Sequence, residues 1–260
     1  MLTLNIHETV TKKQALRGEL MKTTKVRGLV LKEYEAGESD KRLLLLCKGQ
    51  GRVMAYARGA RKPRSKFMAA AQIFTYSDYV LAQGRGFFSV AQVEVIENFY
   101  DLRTDYDCLR AAYLITEACE KTLLEKTNCD ELLKLVLKSL SHLAKKNFTP
   151  LQIICVFLAR FFDFHGFRPH STECAICNLP IGEMGEEIFW GAEGLLCKRH
   201  MLSGKNLSMS AIQAISHILN SEMAQAFQFT ALENVQQEVL SAMKILWQFH
   251  FDREITWFMG

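Results

Sequence analysis

The sequence predicts a multidomain β plus α protein: a small closed β-barrel, then an all-α domain carrying a compact Cys/His module. Three observations predict it. Five β-rich runs joined by glycine turns fill the span from Lys25 to Val95, and helical spacing takes over after Asn98. Two ligand-type pairs, Cys174/Cys177 and Cys197/His200, then interrupt the helical stretches. With 260 residues, 49% hydrophobic and 23% charged, the chain has the balance of a folded protein and room for two cores.

In the first run Val26, Gly28, Val30 and Lys32 alternate with Arg27, Leu29, Leu31 and Glu33. Turn residues Gly37–Asp40 lead to the apolar run Leu43–Cys47, and Lys48-Gly-Gln-Gly51 is a hairpin turn. In the third run Val53, Ala55 and Ala57 alternate with Arg52, Met54, Tyr56 and Arg58, which places a small apolar face opposite a basic one. Phe74–Ala82 and Phe87–Val95 follow, separated by Gln83-Gly-Arg-Gly86. Such strand density suits a barrel of the OB type; an SH3-like barrel has the same periodicity.

Beyond Asn98, Asp105–Glu125 carries an apolar stripe through Leu109, Tyr113, Thr116 and Leu123. Asp130 is the expected cap of a second helix to Lys145, with Leu133, Val136, Leu137 and Leu140 on its buried face. Thr149-Pro150 reads as a cap followed by proline at the first helical position, opening an apolar helix that Gly166 stops. Ser208 or Ser210 caps a helix to about Leu219, and Ala231–Phe251 is a long final helix.

Charge sits unevenly. Residues 22–66 hold 13 Lys/Arg against 4 Asp/Glu, so the rest of a chain of net +4 is acidic on balance. After Gly59, Arg61, Lys62, Arg64 and Lys66 crowd a loop around Pro63; with Arg52 and Arg58 they make six cations with no acid in that stretch. Burying unpaired cations is costly, so the loop is expected in solvent, either as an inert solubilising segment or contacting phosphates. Lys41 and Arg42 extend the patch, and Tyr56 or Phe67 offers a ring for base stacking. No apolar run approaches the about eighteen residues needed to span a bilayer, and residues 1–20 read as an extension before a natural start at Met21. A cytoplasmic protein is expected.

Cys174/Cys177 and Cys197/His200 each have two residues between ligands, the spacing that brings four side chains onto one Zn²⁺. Four protein ligands close the coordination sphere, so the metal would be structural; two free thiol pairs are the alternative. The His-x-Glu of a zinc deaminase is missing, because His170-Ser-Thr-Glu173 has the wrong spacing and abuts Cys174. No phosphate-binding Gly-rich loop or nucleophile elbow is found, and Asp101, Asp105 and Asp107 read as acids at a helix start rather than a two-metal nuclease site. The chain is therefore read as non-enzymatic.

Gly28-Leu-Val-Leu-Lys32, Gly37-Glu-Ser-Asp-Lys41, Gly51-Arg-Val and above all Arg58-Gly-Ala-Arg-Lys-Pro63 resemble the RecO family of bacterial DNA repair and recombination mediators. The Leu151–Gly166 helix and the Cys/His cluster fall in that family's order. The resemblance implies an N-terminal OB-fold over residues 21–98, a helical domain over 99–260 and a zinc-finger insertion over 171–204. It also implies a nucleoid-associated protein that binds single- and double-stranded DNA and anneals complementary strands. Its implied partners are RecR and the acidic tail of single-strand-binding protein, in loading RecA. His200 stands where zinc-bearing members commonly have cysteine. The alternative is a protein-binding adaptor of the repair machinery with little DNA affinity of its own.

Overall fold

The computed structural model describes residues 22–255 apart from positions 85, 125–126, 186, 202–203, 230 and 252–253. The expected extension over residues 1–20 lies outside the described residues. Five strands, β1 (Thr23–Ala36), β2 (Asp40–Cys47), β3 (Gly51–Ala57), β4 (Tyr76–Gln83) and β5 (Phe88–Glu97), form a closed barrel in the order β1-β2-β3-β5-β4. β1 pairs with both β2 and β4, and a short parallel pairing of Ala55 and Tyr56 with Phe88 and Ser89 joins β3 to β5. That five-stranded closure is the OB type.

Period-two alternation sorts the barrel residues into two cores. Val26, Val30, Leu43, Leu45, Val53, Ala55, Ala57, Tyr79 and Leu81 fill the interior. Leu29, Leu31, Leu44 and Leu46 point outward, yet they are buried in the core of the helical domain. The run Leu43–Cys47 is apolar throughout because β2 is covered on both faces. Polar contacts pin the same junction: Lys32 Nζ and Tyr34 Oη donate to Glu120 at 2.7 and 3.0 Å. Gly51, at φ 66°, lies so close to Thr127 that a Cβ would meet the carbonyl oxygen at 2.4 Å.

The helical domain begins after a 3₁₀ turn at Tyr100–Thr104 and comprises α1 (Tyr106–Thr122), α2 (Asp130–Ala144), α3 (Pro150–Phe164), α4 (Met209–Asn220), α5 (Met223–Ala226) and α6 (Glu233–His250). Asp105 caps α1, accepting from Asp107 N and Cys108 N, which is the structural role expected of these acids. The buried face of α1 is Cys108, Ala111, Ala112, Leu114, Ile115, Thr116, Ala118 and Cys119, and Tyr113 is 48% exposed instead of lying in the stripe. Asp130 does not cap α2. The cap position is Cys129, and Asp130 Oδ1 accepts from Gly49 N at 2.7 Å, tying the β2–β3 turn to the helix.

The expected start of α3 is observed: Thr149 accepts from Gln152 N, Pro150 is the first helical residue, and Gly166 adopts φ 80° after its end. Its Phe161 and Phe162 pack against Trp247 of α6, and Ser208 caps α4. Between α3 and α4 the hairpin β6 (Ile188–Gly191) and β7 (Gly194–Cys197), flanked by β8 (Lys205–Asn206), forms a second small sheet. Among the described residues no helix is long and apolar enough to cross a membrane.

Candidate nucleic-acid interface and candidate metal centre

The loop from Arg58 to Thr75 joins β3 to β4 and closes one end of the barrel. Gly59, at φ 67°, starts it, with its N–H donating to Asp40 Oδ1 at 2.7 Å. Its apolar side chains turn inward: Ala60, Phe67 and Ala71 join the barrel core, and Tyr79 Oη donates to Ala70 O at 3.0 Å. The cations turn outward, so the loop is half solvated and half plug. Arg58, Arg61, Lys62, Arg64 and Lys66 are exposed.

The fold bears on three residues of this patch. Phe67 is only 8% exposed and fills the barrel end, with Lys66 Nζ above its ring at 4.9 Å; it has no face for a base. Lys41 is held by Glu33 at 2.6 Å and by Ala71 O at 3.2 Å, so its charge is neutralised within the fold. Arg61 pairs with Glu35 at 3.0 Å, across the β1–β2 turn. The stretch from Gly51 to Phe67 lacks acids, but the folded chain brings Glu35 of β1 to it. Among the described residues Arg58, Lys62, Arg64 and Lys66 have no ion pair.

A second basic surface lies where the helices stop covering the sheet. Tyr34, Arg42 and Tyr56 sit opposite one another across β1, β2 and β3. Arg42 places its guanidinium over the Tyr34 ring at 4.9 Å, and its buried Nε has no hydrogen-bond partner. Arg52 Nη1 lies 3.5 Å from Leu123 O. Tyr56 meets Phe87 edge-on, with ring centroids 5.5 Å apart at 73°. Arg42, Arg52, Tyr56 and Phe87 share a groove of about 570 Å³ between β3 and the β4–β5 turn. Sequence reasoning missed Phe87 as a surface ring, because its place at the head of a β-rich run marks it equally well as core.

The second candidate centre is the Cys/His module. Cys174, Cys177, Cys197 and His200 bring all their ligand atoms within 4.8 Å of one another. Cys177 Sγ and Cys197 Sγ are 3.8 Å apart, and His200 Nδ1 lies 3.5 Å from Cys174 Sγ and 3.3 Å from Cys197 Sγ. A tetrahedral ion with metal–sulfur bonds of about 2.3 Å needs edges of about 3.8 Å between sulfurs and slightly less to nitrogen. A disulfide would need about 2.05 Å. The cluster therefore fits a four-coordinate metal ion.

Local geometry builds this cluster. Ala175 N donates to Leu195 O at 2.8 Å and Cys174 N to Leu179 O at 2.9 Å, fixing the first knuckle on the hairpin. Gly194 has φ 112° and approaches His170 so closely that a Cβ would meet its oxygen at 2.3 Å. Burial pushes the Cys174 thiol up, but N–H groups of Cys197, Cys177 and Ile176, with His200, outweigh it and hold it lowered at about 6. That favours the thiolate a metal requires. His250 Nε2 of α6 reaches Ala192 O at 2.9 Å, so the module is anchored to the final helix.

Comparison with known proteins agrees with this architecture. The family described as "Recombination protein O N terminal" matches residues 21–99, and "Recombination protein O C terminal" matches residues 103–255. The chain is similar to the "DNA repair protein RecO" of Acetivibrio thermocellus, at 33% identity over 84% of this chain and 88% of the relative. It is also similar to proteins of that name from Desulfitobacterium hafniense strain Y51, 29% identical over 89% and 87% of the two chains, and from Alkaliphilus metalliredigens, 29% identical over 88% and 94%.

Proposed function

Since the chain belongs to the RecO family of DNA repair proteins, we propose that it is a non-enzymatic mediator that binds DNA and anneals complementary strands. The observation that carries this reading is the set of exposed cations Arg58, Lys62, Arg64 and Lys66, which have no carboxylate partner among the described residues. Annealing requires no acid or base. It needs two polyanions held close with their repulsion neutralised and their bases left free to pair.

In this reading residues 21–98 are the DNA-binding OB-fold domain and residues 99–260 the helical domain, with a zinc-finger insertion over 171–204. Arg42, Arg52, Arg58, Lys62, Arg64 and Lys66 neutralise phosphates, joined by Arg61 when it leaves Glu35; Tyr56 flanks the bases. Cys174, Cys177, Cys197 and His200 hold one structural Zn²⁺, whose contribution is to lock the insertion's fold. RecR and the acidic tail of single-strand-binding protein are the partners, RecA loading the outcome, and the bacterial cytoplasm the setting.

A salt-titrated binding assay on single- and double-stranded DNA tests the reading. Sequence-tolerant binding that weakens steeply with salt is expected, with a slope of about −0.7 per phosphate contacted on single strands. Retention on immobilised single-strand-binding protein with no measurable DNA affinity would instead establish the adaptor alternative.

A further inference from the structure

We propose that the groove between β3 and the β4–β5 turn is a stacking subsite for an unpaired base, with Phe87 as its platform, and that it makes the barrel selective for single strands. This rests on the DNA-binding reading above and adds to it a residue and a strand preference.

Phe87 is 39% exposed, an uncommon placement for a phenylalanine with a barrel core beside it. Its ring is nonetheless held. Tyr56 meets it edge-on at 5.5 Å, and Gly84 N donates to Phe87 O at 2.8 Å. Gly84 lies against the ring so closely that a Cβ there would meet it at 3.1 Å. A ring already fixed in place loses little freedom when a base stacks on it.

Cations line the same groove. Arg42 and Arg52 have no carboxylate partner among the described residues, and the buried Nε of Arg42 lacks an acceptor. Two guanidinium groups beside a partly exposed aromatic ring are the elements of a single-strand groove: the cations follow the backbone while a base stacks. The 58–66 loop differs in kind, because it presents cations while Phe67 is turned inside. The loop can grip the phosphates of any strand. The groove requires a base that is free to leave its neighbours, which a duplex supplies only after unstacking and unpairing.

The test compares the full-length protein with Phe87→Ala and Phe87→Trp on three probes of equal length: oligo(dT), an abasic strand and a duplex. Phe87→Ala should weaken oligo(dT) binding roughly fivefold to a hundredfold and leave the abasic strand and duplex unchanged. Phe87→Trp should restore oligo(dT) affinity, with its fluorescence quenched by oligo(dT) and not by the abasic strand. Wild-type affinity of Phe87→Ala for oligo(dT), or an equal loss on all three probes, would overturn the subsite. Wild-type protein that binds none of the probes would sink the DNA-binding reading itself.

Discussion

Replacing Lys62, Arg64 and Lys66 together by glutamine puts the charged rim of the barrel to the test. All three are exposed and none takes part in the barrel core, while glutamine keeps much of each aliphatic stem. Stability should therefore fall by no more than about 1–2 kcal/mol, part of it from the lost Lys66 contact over the Phe67 ring. If each cation meets one phosphate of a single strand, removing three reduces the salt slope by about 2. Over a fourfold rise in salt, from about 50 to about 200 mM, the wild type should then lose about 20-fold more affinity than the variant. Fluorescence anisotropy of a labelled single-stranded oligonucleotide across a salt series measures the slope, and a thermal melt checks the fold. Glu35→Gln is the companion with opposite sign. Glu35 is 74% exposed and pairs with Arg61 at 3.0 Å, so freeing Arg61 should steepen the slope by about 0.7. A folded triple variant with the wild-type slope would refute the assignment of this loop to phosphate.

Three further outcomes are expected. Phe67→Ala should cost about 3–5 kcal/mol in urea denaturation, because it empties the barrel end; a surface stacking ring would cost almost nothing. Protein purified without added metal should carry about one zinc per chain by elemental analysis, and Cys174→Ser should lose it and make residues 171–204 protease-sensitive. Burial lowers the His165 imidazole from its ordinary 6.5 to about 4. The unfolded chain then binds the extra proton between those values, so this contribution is complete above about pH 6.5 and is lost as pH falls towards 4. Partial exposure of the ring limits it to about 1–2 kcal/mol. Denaturation midpoints at pH 7 and pH 5 should therefore converge in His165→Gln.

Much of the fold was legible because it rests on short-range spacing. The alternation of Val53, Ala55 and Ala57 with Arg52, Met54 and Tyr56 reappears as a strand buried on one face. Thr149-Pro150 opens a helix because a hydroxyl acceptor and a proline lacking an N–H suit the first turn. The two ligand pairs converge because each x–x spacing makes a knuckle and a short hairpin joins the knuckles. Tyr113 and Asp130 were misread for one reason: the groups that meet them, the Phe74 ring and the backbone N–H of Gly49, come from the barrel domain.

By itself, then, the sequence determined the kinds of element, their order, the candidate metal-ligand set and the concentration of positive charge between residues 22 and 66. Tertiary structure alone decided which of those charges are available. Pairing of β1 with β2 sets Glu33 beside Lys41, the β3–β4 loop folds back to bring Arg61 to Glu35, and the same loop turns Phe67 inward while Phe87 stays at the surface. Docking of the helices buries the outward leucines of β2 and leaves the groove beside Tyr56 open. Spacing along a chain dictates which face a side chain takes. What that face meets is set by which strands pair and where the loops fold back, and in this protein those contacts separate a neutralised cation from an unpaired one.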